Sequence, residues 1–361
     1  MAKGYNQREL ADHLGVTRQS VSQWELGAKR PDGASLARIV AELDQPLSFF
    51  SGAQPAPFGE SSTAFYRAFG PKTQKRNDQC SVWKEWLVRT AAFFSTAVRL
   101  PAPQIMDWES KSQDGSYTTD ELEEAARAAR RAWGLGDGPI ANMVSLLESR
   151  GIVMTRVHFG AEDVNAFSYW NGDKPFIFLS SDTKSCARAR FDSAHELGHL
   201  ILHRDIASRE LENPTILRRI EREADRFAAA FLLPEATYPH EVLTSRLEGF
   251  KELKRRWKVS IQAQIFRCED LGIFSEVQIL NMRKSISKNR WKTNEPLDDE
   301  LKVEQPTLLN KCFTTAVNEG GANPEDIASG INLNRAHIAA FCGINPEVFK
   351  RNEDVVSINL K

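Results

Sequence analysis

FDSAHELGHLILH, residues 191–203, carries two histidines four apart with a glutamate directly after the first. On a helix, positions i and i+4 lie one above the other on a single face. His195 and His199 are therefore spaced to reach one metal ion, and Glu196 to reach a water held by it. The motif alone leaves another reading open, a buried histidine pair bonded to backbone. Its neighbours bear on the choice: Ala194, Leu197, Leu200, Ile201 and Leu202 make this helix apolar almost all round. Two imidazoles and a carboxylate in such a helix must find partners or bear a large desolvation cost. A divalent cation would satisfy all three. His203, two turns past His195, lies too far along the helix to join the same ion and reads as a locally satisfied core histidine.

A hydrolytic zinc needs a third protein ligand and one open position. The HExxHxxGxxH arrangement fails, because Leu202 and Asp205 stand where its glycine and third histidine belong. The other source is a glutamate on the following helix, IEREADRFAAAFLLP (220–234). At about 100° per residue, Leu217, Ile220, Ala224, Phe227, Ala228 and Phe231 form its inward stripe. Glu221 falls roughly 65° and Glu223 roughly 95° from the stripe's centre, so Glu221 is the better-placed ligand. Asp225, four residues beyond it, is placed to accept the N–H of a metal-bound histidine. For either acid, pairing with Arg218, Arg222 or Arg226 is the alternative.

Around these helices the pattern changes. GIVMTRVHF (151–159), VNAFSYW (164–170) and PFIFLSS (175–181) are rich in β-branched and aromatic residues, and Asn171-Gly172 signals a type I′ hairpin. The long helices are expected over 183–203 and between Pro214 and Pro234. The basic run 281–292 reads as a solvated face, and Tyr238 and His240 as weak candidates for oxyanion contact.

The chain opens differently. QRELADHLGVTRQSVSQWE (7–25) fits a helix-turn-helix, with Leu10, Ala11 and Leu14 as one apolar stripe and Gly15 as the left-handed turn residue. In the second helix Val21 and Trp24 face inward. That leaves Arg18, Gln19, Ser22 and Gln23 outward near the end that enters a major groove, with Gln7 beside them. Arginine suits guanine and glutamine suits adenine, each through two hydrogen bonds. A helical hairpin with a solvated polar face is the alternative.

The net charge of −1 argues for no partner in bulk. Within the first 45 residues, Lys3, Arg8, Arg18, Lys29, Arg30 and Arg38 balance Glu9, Asp12, Glu25, Asp32, Glu42 and Asp44, so a monomer is expected to hold DNA weakly. Five scattered cysteines without a CxxC pair argue against a disulfide framework and a thiolate zinc site, and favour a reducing compartment. No run of 18 apolar residues and no signal-peptide core is present. The expected location is the cytoplasm, with no membrane partner.

Two resemblances follow from these motifs. LADHLGVTRQSVSQWELGAKRP, with its WExGxxxP tail, resembles the Xre or lambda-repressor-like helix-turn-helix family over roughly residues 5–50. That family packs a further helix in front of the pair; only six residues precede Gln7, so the first helix is read as missing. RFDSAHELGHLILH followed by EREADRFAAAFLLP resembles the ImmA/IrrE-type zinc metallopeptidases of bacteria and their mobile elements. This likeness runs from about residue 120 to 296 and includes WKVSIQAQIFRCEDLG (257–272). It implies His195, His199 and Glu221 as ligands of one Zn2+ per chain, Glu196 as catalytic base, and Asp225 where many members carry Asn. It also implies a narrow protein substrate, often a helix-turn-helix repressor.

The expected fold is mostly α with a small antiparallel β-sheet, an α+β zincin-like metallopeptidase domain behind an all-α helix-turn-helix domain. The expected division is 1–50 for DNA, 51–62 as linker, 63–118 as helical connector, 119–296 as peptidase and 297–361 as a small helical region. The expected function is a zinc endopeptidase and transcriptional regulator with double-stranded DNA as second partner; the oligomeric state is open and a dimer is allowed. The rival reading is a DNA-binding regulator whose metal domain is a sensor or dimerisation module without peptidase activity.

Overall fold

The computed structural model describes residues 3–51, 58–59, 65–66, 73–158 and 164–349. Most of the expected linker, and 350–361 of the expected C-terminal region, lie outside the described residues. In chain order the first helices are α1 (Gln7–Leu14), α2 (Arg18–Glu25), α3 (Gly33–Leu43), α4 (Leu47–Ser51), α5 (Thr73–Ala97), α6 (Thr119–Ala132) and α7 (Met143–Ser149). The strands are β1 (Phe65–Tyr66), β2 (Val153–Val157), β3 (Ala166–Asn171) and β4 (Lys174–Ser180). Then follow α8 (Cys186–Leu202), α9 (Pro214–Leu232), α10 (Tyr238–Glu241), α11 (Leu247–Trp257), α12 (Ile261–Asp270) and α13 (Glu276–Lys288). The last helices are α14 (Leu308–Asn318), α15 (Pro324–Ile331) and α16 (Arg335–Cys342). None is long and apolar enough to cross a membrane.

The chain divides into two compact units. One gathers the described residues of 3–51, 73–99 and 307–349; the other holds 58–59, 65–66, 100–158 and 164–306.

In the second unit the sheet order is β1-β3-β4-β2. The hairpin β3–β4 is antiparallel, but β2 pairs with β4 in parallel, Val153 opposite Phe176. The sheet is therefore mixed, and the expectation of a purely antiparallel one is corrected. The cause lies in β4, whose Phe176, Ile177, Phe178 and Leu179 are all buried. A strand apolar on both faces takes the centre of a sheet, and this one inserts between β3 and β2. The turn also differs in type. Its central residues are Gly172 and Asp173, and only Gly172 has positive φ (60°), the II′ pattern rather than I′. Side chains alternate across the pleat. Phe167, Tyr169, Phe176 and Phe178 stack on one face, while Ser168 and Trp170 turn to α8 and donate to the carbonyls of Glu196 (3.3 Å) and Leu200 (3.2 Å). On the outer edge of β3, Phe65–Tyr66 pair with Ser168 and Phe167.

α8 lies between this sheet and α9. Ser185 caps its start by accepting from Arg188 N–H. Buried Arg190 ties its first turns to Glu304 and to the carbonyl of Ile140, and Glu304 in turn accepts the first amides of α7. α9 begins as its sequence demands, with Pro214 at the first turn and the Asn213 side chain accepting from Thr215 N–H.

In the first unit α1 starts with a capping box from Asn6 and Glu9 and ends on left-handed Gly15 (φ 65°), after which Thr17 caps α2. The same plan of helix, left-handed residue, apolar residue, cap and helix occurs twice more among the described residues. In α11–α12 it is Lys258 (φ 55°), Val259 and Ser260; in α15–α16 it is Asn332 (φ 58°), Leu333 and Asn334. The α15–α16 turn is docked within its own unit. Asn332 and Ser48 exchange two hydrogen bonds, Asn334 N–H donates to Gln45, and the His337 ring lies against Trp83 and Trp86.

Candidate metal centre and nucleic-acid interface

The HExxH helix and the helix after it meet at a glycine. A β-carbon on Gly198 would lie 3.2 Å from both Ala224 Cα and Phe227 Cδ1. This close approach sets α9 against the histidine face of α8, and Glu221, one turn before Ala224, falls opposite both imidazoles. His195 Nε2 and His199 Nε2 are 3.0 Å apart, with Glu221 oxygens 3.6 and 3.4 Å from them respectively. One ligand atom from each of the three residues lies within 4.8 Å of the others. Tetrahedral zinc with bonds of about 2.0–2.1 Å holds its ligand atoms about 3.3 Å apart, so the residues present fit that ion.

Electrostatics agree with a cation. Burial pulls the His195 pKa down, but hydrogen bonds and charge from Asp225 and Glu221 outweigh it and raise it to about 10. Burial alone would raise Glu221, yet its two histidine partners hold it well below the usual carboxylate range. His199 is lowered by burial. Any proton these acids favour on His195 would compete with a metal for the ring. Glu196, beside this cluster, is pushed up to about 8 by burial, and its Oε2 has no hydrogen-bond partner among the described residues.

The structure brings His195, Glu196, His199 and Glu221 into one buried cluster, and Asp225 Oδ1 accepts from His195 Nδ1 at 2.8 Å. His203 stays outside the triad, as the spacing implies, but it is in contact with it. Its Nδ1 lies 3.0 Å from His199 Nδ1 and its Nε2 3.0 Å from Glu223 Oε2. Sequence reasoning missed that link; the second i, i+4 histidine step on α8 was the available signal. Tyr238 donates its hydroxyl to Gln264 inside the core, and His240 is exposed.

At the other site, Arg18 and Gln19 are exposed at the start of α2 while Ser22 and Gln23 are half-buried. Val21 is buried as read; Trp24 is only half-buried. Gln7 donates to Glu25 (2.7 Å) and accepts from Arg18 (3.4 Å), so two of the residues read as base contacts hold each other. The matching positions elsewhere offer less. α12 opens on buried Ile261, and α16 on Arg335, held by Glu325 and followed by Ala336.

Residues 147–269 match the family described as the IrrE N-terminal-like domain, a peptidase family, and residues 1–50 match a helix-turn-helix family. The chain thus carries a segment similar to a helix-turn-helix module ahead of one similar to an IrrE N-terminal-like domain. A protein of Bacillus subtilis (strain 168) named SPbeta prophage-derived uncharacterized HTH-type transcriptional regulator YonR is similar to part of it. The two are 35% identical over 57 residues, 16% of this chain and 53% of that relative, so the chain spans about half of the relative's length. The IrrE-like match includes α8, α9 and all three residues of the candidate metal centre.

Proposed function

We propose that this chain is a zinc-dependent endopeptidase and DNA-binding transcriptional regulator that cleaves a helix-turn-helix repressor and so relieves repression. The observation that carries the enzymatic half is the convergence of His195, His199 and Glu221 beside a buried, proton-hungry Glu196. Bound zinc supplies Lewis acidity to a water and to the scissile carbonyl. The three side chains would hold it, and Asp225, which accepts from His195 Nδ1, would orient that ring. Glu196 takes the water's proton and later gives it to the leaving amine; a carboxyl raised towards neutrality suits both tasks. An extended substrate strand adding to the outer edge of β3 would run past Ser168, which reaches the Glu196 main chain, and would displace Phe65–Tyr66 from that edge.

Elemental analysis tests the centre. Wild-type protein purified without chelator is expected to carry one zinc per chain, and Glu221→Gln to lose most of it. A metal-free wild type loaded with zinc in vitro that still shows no binding would sink the enzymatic reading.

The helix-turn-helix match and the wording of the relative's name support the regulatory half. Two chains on a cytoplasmic palindromic operator would each offer α2 to a major groove, reading bases through Gln7, Arg18, Gln19, Ser22 and Gln23. Arg18→Ala is expected to weaken binding to the best duplex selected from a random pool by about 1–3 kcal/mol and to relax one base position. Equal affinity of the wild type for selected and random duplex would remove DNA reading from its functions.

A further inference from the structure

His195 and His199 turn their Nε2 atoms towards each other and towards Glu221, so each ring presents Nδ1 on its far side. For His195 that atom meets Asp225. For His199 it meets a second histidine, His203 Nδ1 at 3.0 Å, and His203 Nε2 continues to Glu223 Oε2 at 3.0 Å. The other Glu223 oxygen accepts the Tyr117 amide at 3.1 Å and faces Arg219 at 3.7 Å. His199, His203 and Glu223 are all buried.

Two ring nitrogens 3.0 Å apart require one donor and one acceptor. If His199 Nε2 gives its lone pair to a metal, His199 Nδ1 must carry the proton. His203 Nδ1 then has to accept, which leaves the His203 proton on Nε2, aimed at Glu223. Only one arrangement of protons along this chain is compatible with metal on His199. Glu223 is the terminal acceptor that favours it. Two acids two residues apart on α9 thus divide the work: Glu221 faces the ligand atoms, and Glu223 faces the back of the relay.

We infer that His203 and Glu223 are positioning residues that fix the tautomer and ring orientation of His199 and thereby set the metal affinity of the centre. This rests on the reading of His195, His199 and Glu221 as a zinc site. Outer-shell partners of metal-bound histidines typically carry a 10–100-fold effect on affinity.

The measurement is the zinc dissociation constant by chelator competition, for wild type, His203→Phe, His203→Asn and Glu223→Gln, with thermal melts of the metal-free proteins. His203→Phe keeps a buried ring but removes the acceptor, and is expected to bind zinc at least tenfold more weakly. His203→Asn restores an acceptor at the distance of Nδ1 from the backbone and is expected to recover most of that loss. Glu223→Gln, nearly isosteric, covers the case in which His203→Phe does not fold; it is expected to weaken zinc binding several-fold with little change in metal-free melting. Zinc affinity within twofold of wild type in folded His203→Phe or folded Glu223→Gln overturns the inference and leaves the pair as core packing. A wild type that binds no zinc overturns the reading of the centre instead, so the two failures are distinguishable.

Discussion

Glu196→Gln is expected to retain zinc and to lose cleavage by a factor of about 10²–10⁴, the usual contribution of a positioned general base. The substitution is nearly isosteric at a residue only 4% exposed. Glu196 is not one of the three residues whose ligand atoms converge, so elemental analysis should find the metal unchanged. Burial already pushes the Glu196 carboxyl up and disfavours its charge in the metal-free protein. A neutral amide therefore adds no new desolvation cost, and the melting temperature should hold or rise. The loss would then be chemical rather than structural. Cleavage is read on a proteome-derived peptide library by the appearance of new amino termini, with and without chelator. A Glu196→Gln protein that cuts like the wild type would end the general-base assignment. A zinc-loaded wild type that cuts nothing, the intended repressor included, would favour the sensor reading of the metal domain.

The second large effect is expected at Gly198, inside the HELGH motif itself. One added methyl would already sit 3.2 Å from Ala224 Cα and 3.4 Å from its carbonyl oxygen. Valine adds two further methyls and stiffens χ1 within the helix. Overpacking of this kind costs about 1–3 kcal/mol, and here the strain acts on the contact that brings Glu221 to the histidines. Gly198→Val should lower the melting temperature and weaken zinc by more than tenfold together. Gly198→Ala should do far less, because the gain of about 1 kcal/mol in helix propensity offsets part of the crowding. Gly198→Val with wild-type zinc affinity would show that the α8–α9 spacing does not hold the centre.

Much of this geometry could be read from the chain, for identifiable reasons. α9 announces itself through 3.6-residue periodicity and Asn213-Pro214 at its start, and α8 through its i, i+4 histidines in an apolar run. Helical spacing also singled out Glu221 over Glu223 as the residue facing the imidazoles, because ligand direction on one helix is a local property. What lay out of reach was non-local. Glu223 looked poorly placed only with respect to the stripe of its own helix; its partner His203 comes from another. The parallel pairing of β2 depends on its joining the free edge of β4 while β1 takes that of β3, which no single strand's pattern shows. The α15–α16 turn escaped notice because Asn332 stands where Gly15 stands in the first pair, and asparagine signals a left-handed residue less strongly than glycine.

The three turns of the same plan carry a further consequence. The first opens its second helix on exposed, adjacent Arg18 and Gln19; the α15–α16 copy ties its turn to Gln45 and Ser48, and its exposed Arg335 to Glu325. On the proposed DNA-binding reading each chain would bring that face to a duplex, and a palindromic operator would require two chains about 34 Å apart. If the two chains joined only on the DNA, occupancy of such an operator would rise with the square of the free chain concentration at low dose. Abundance would then act as a threshold, and a process that removed half the molecules would cut the occupied fraction about fourfold.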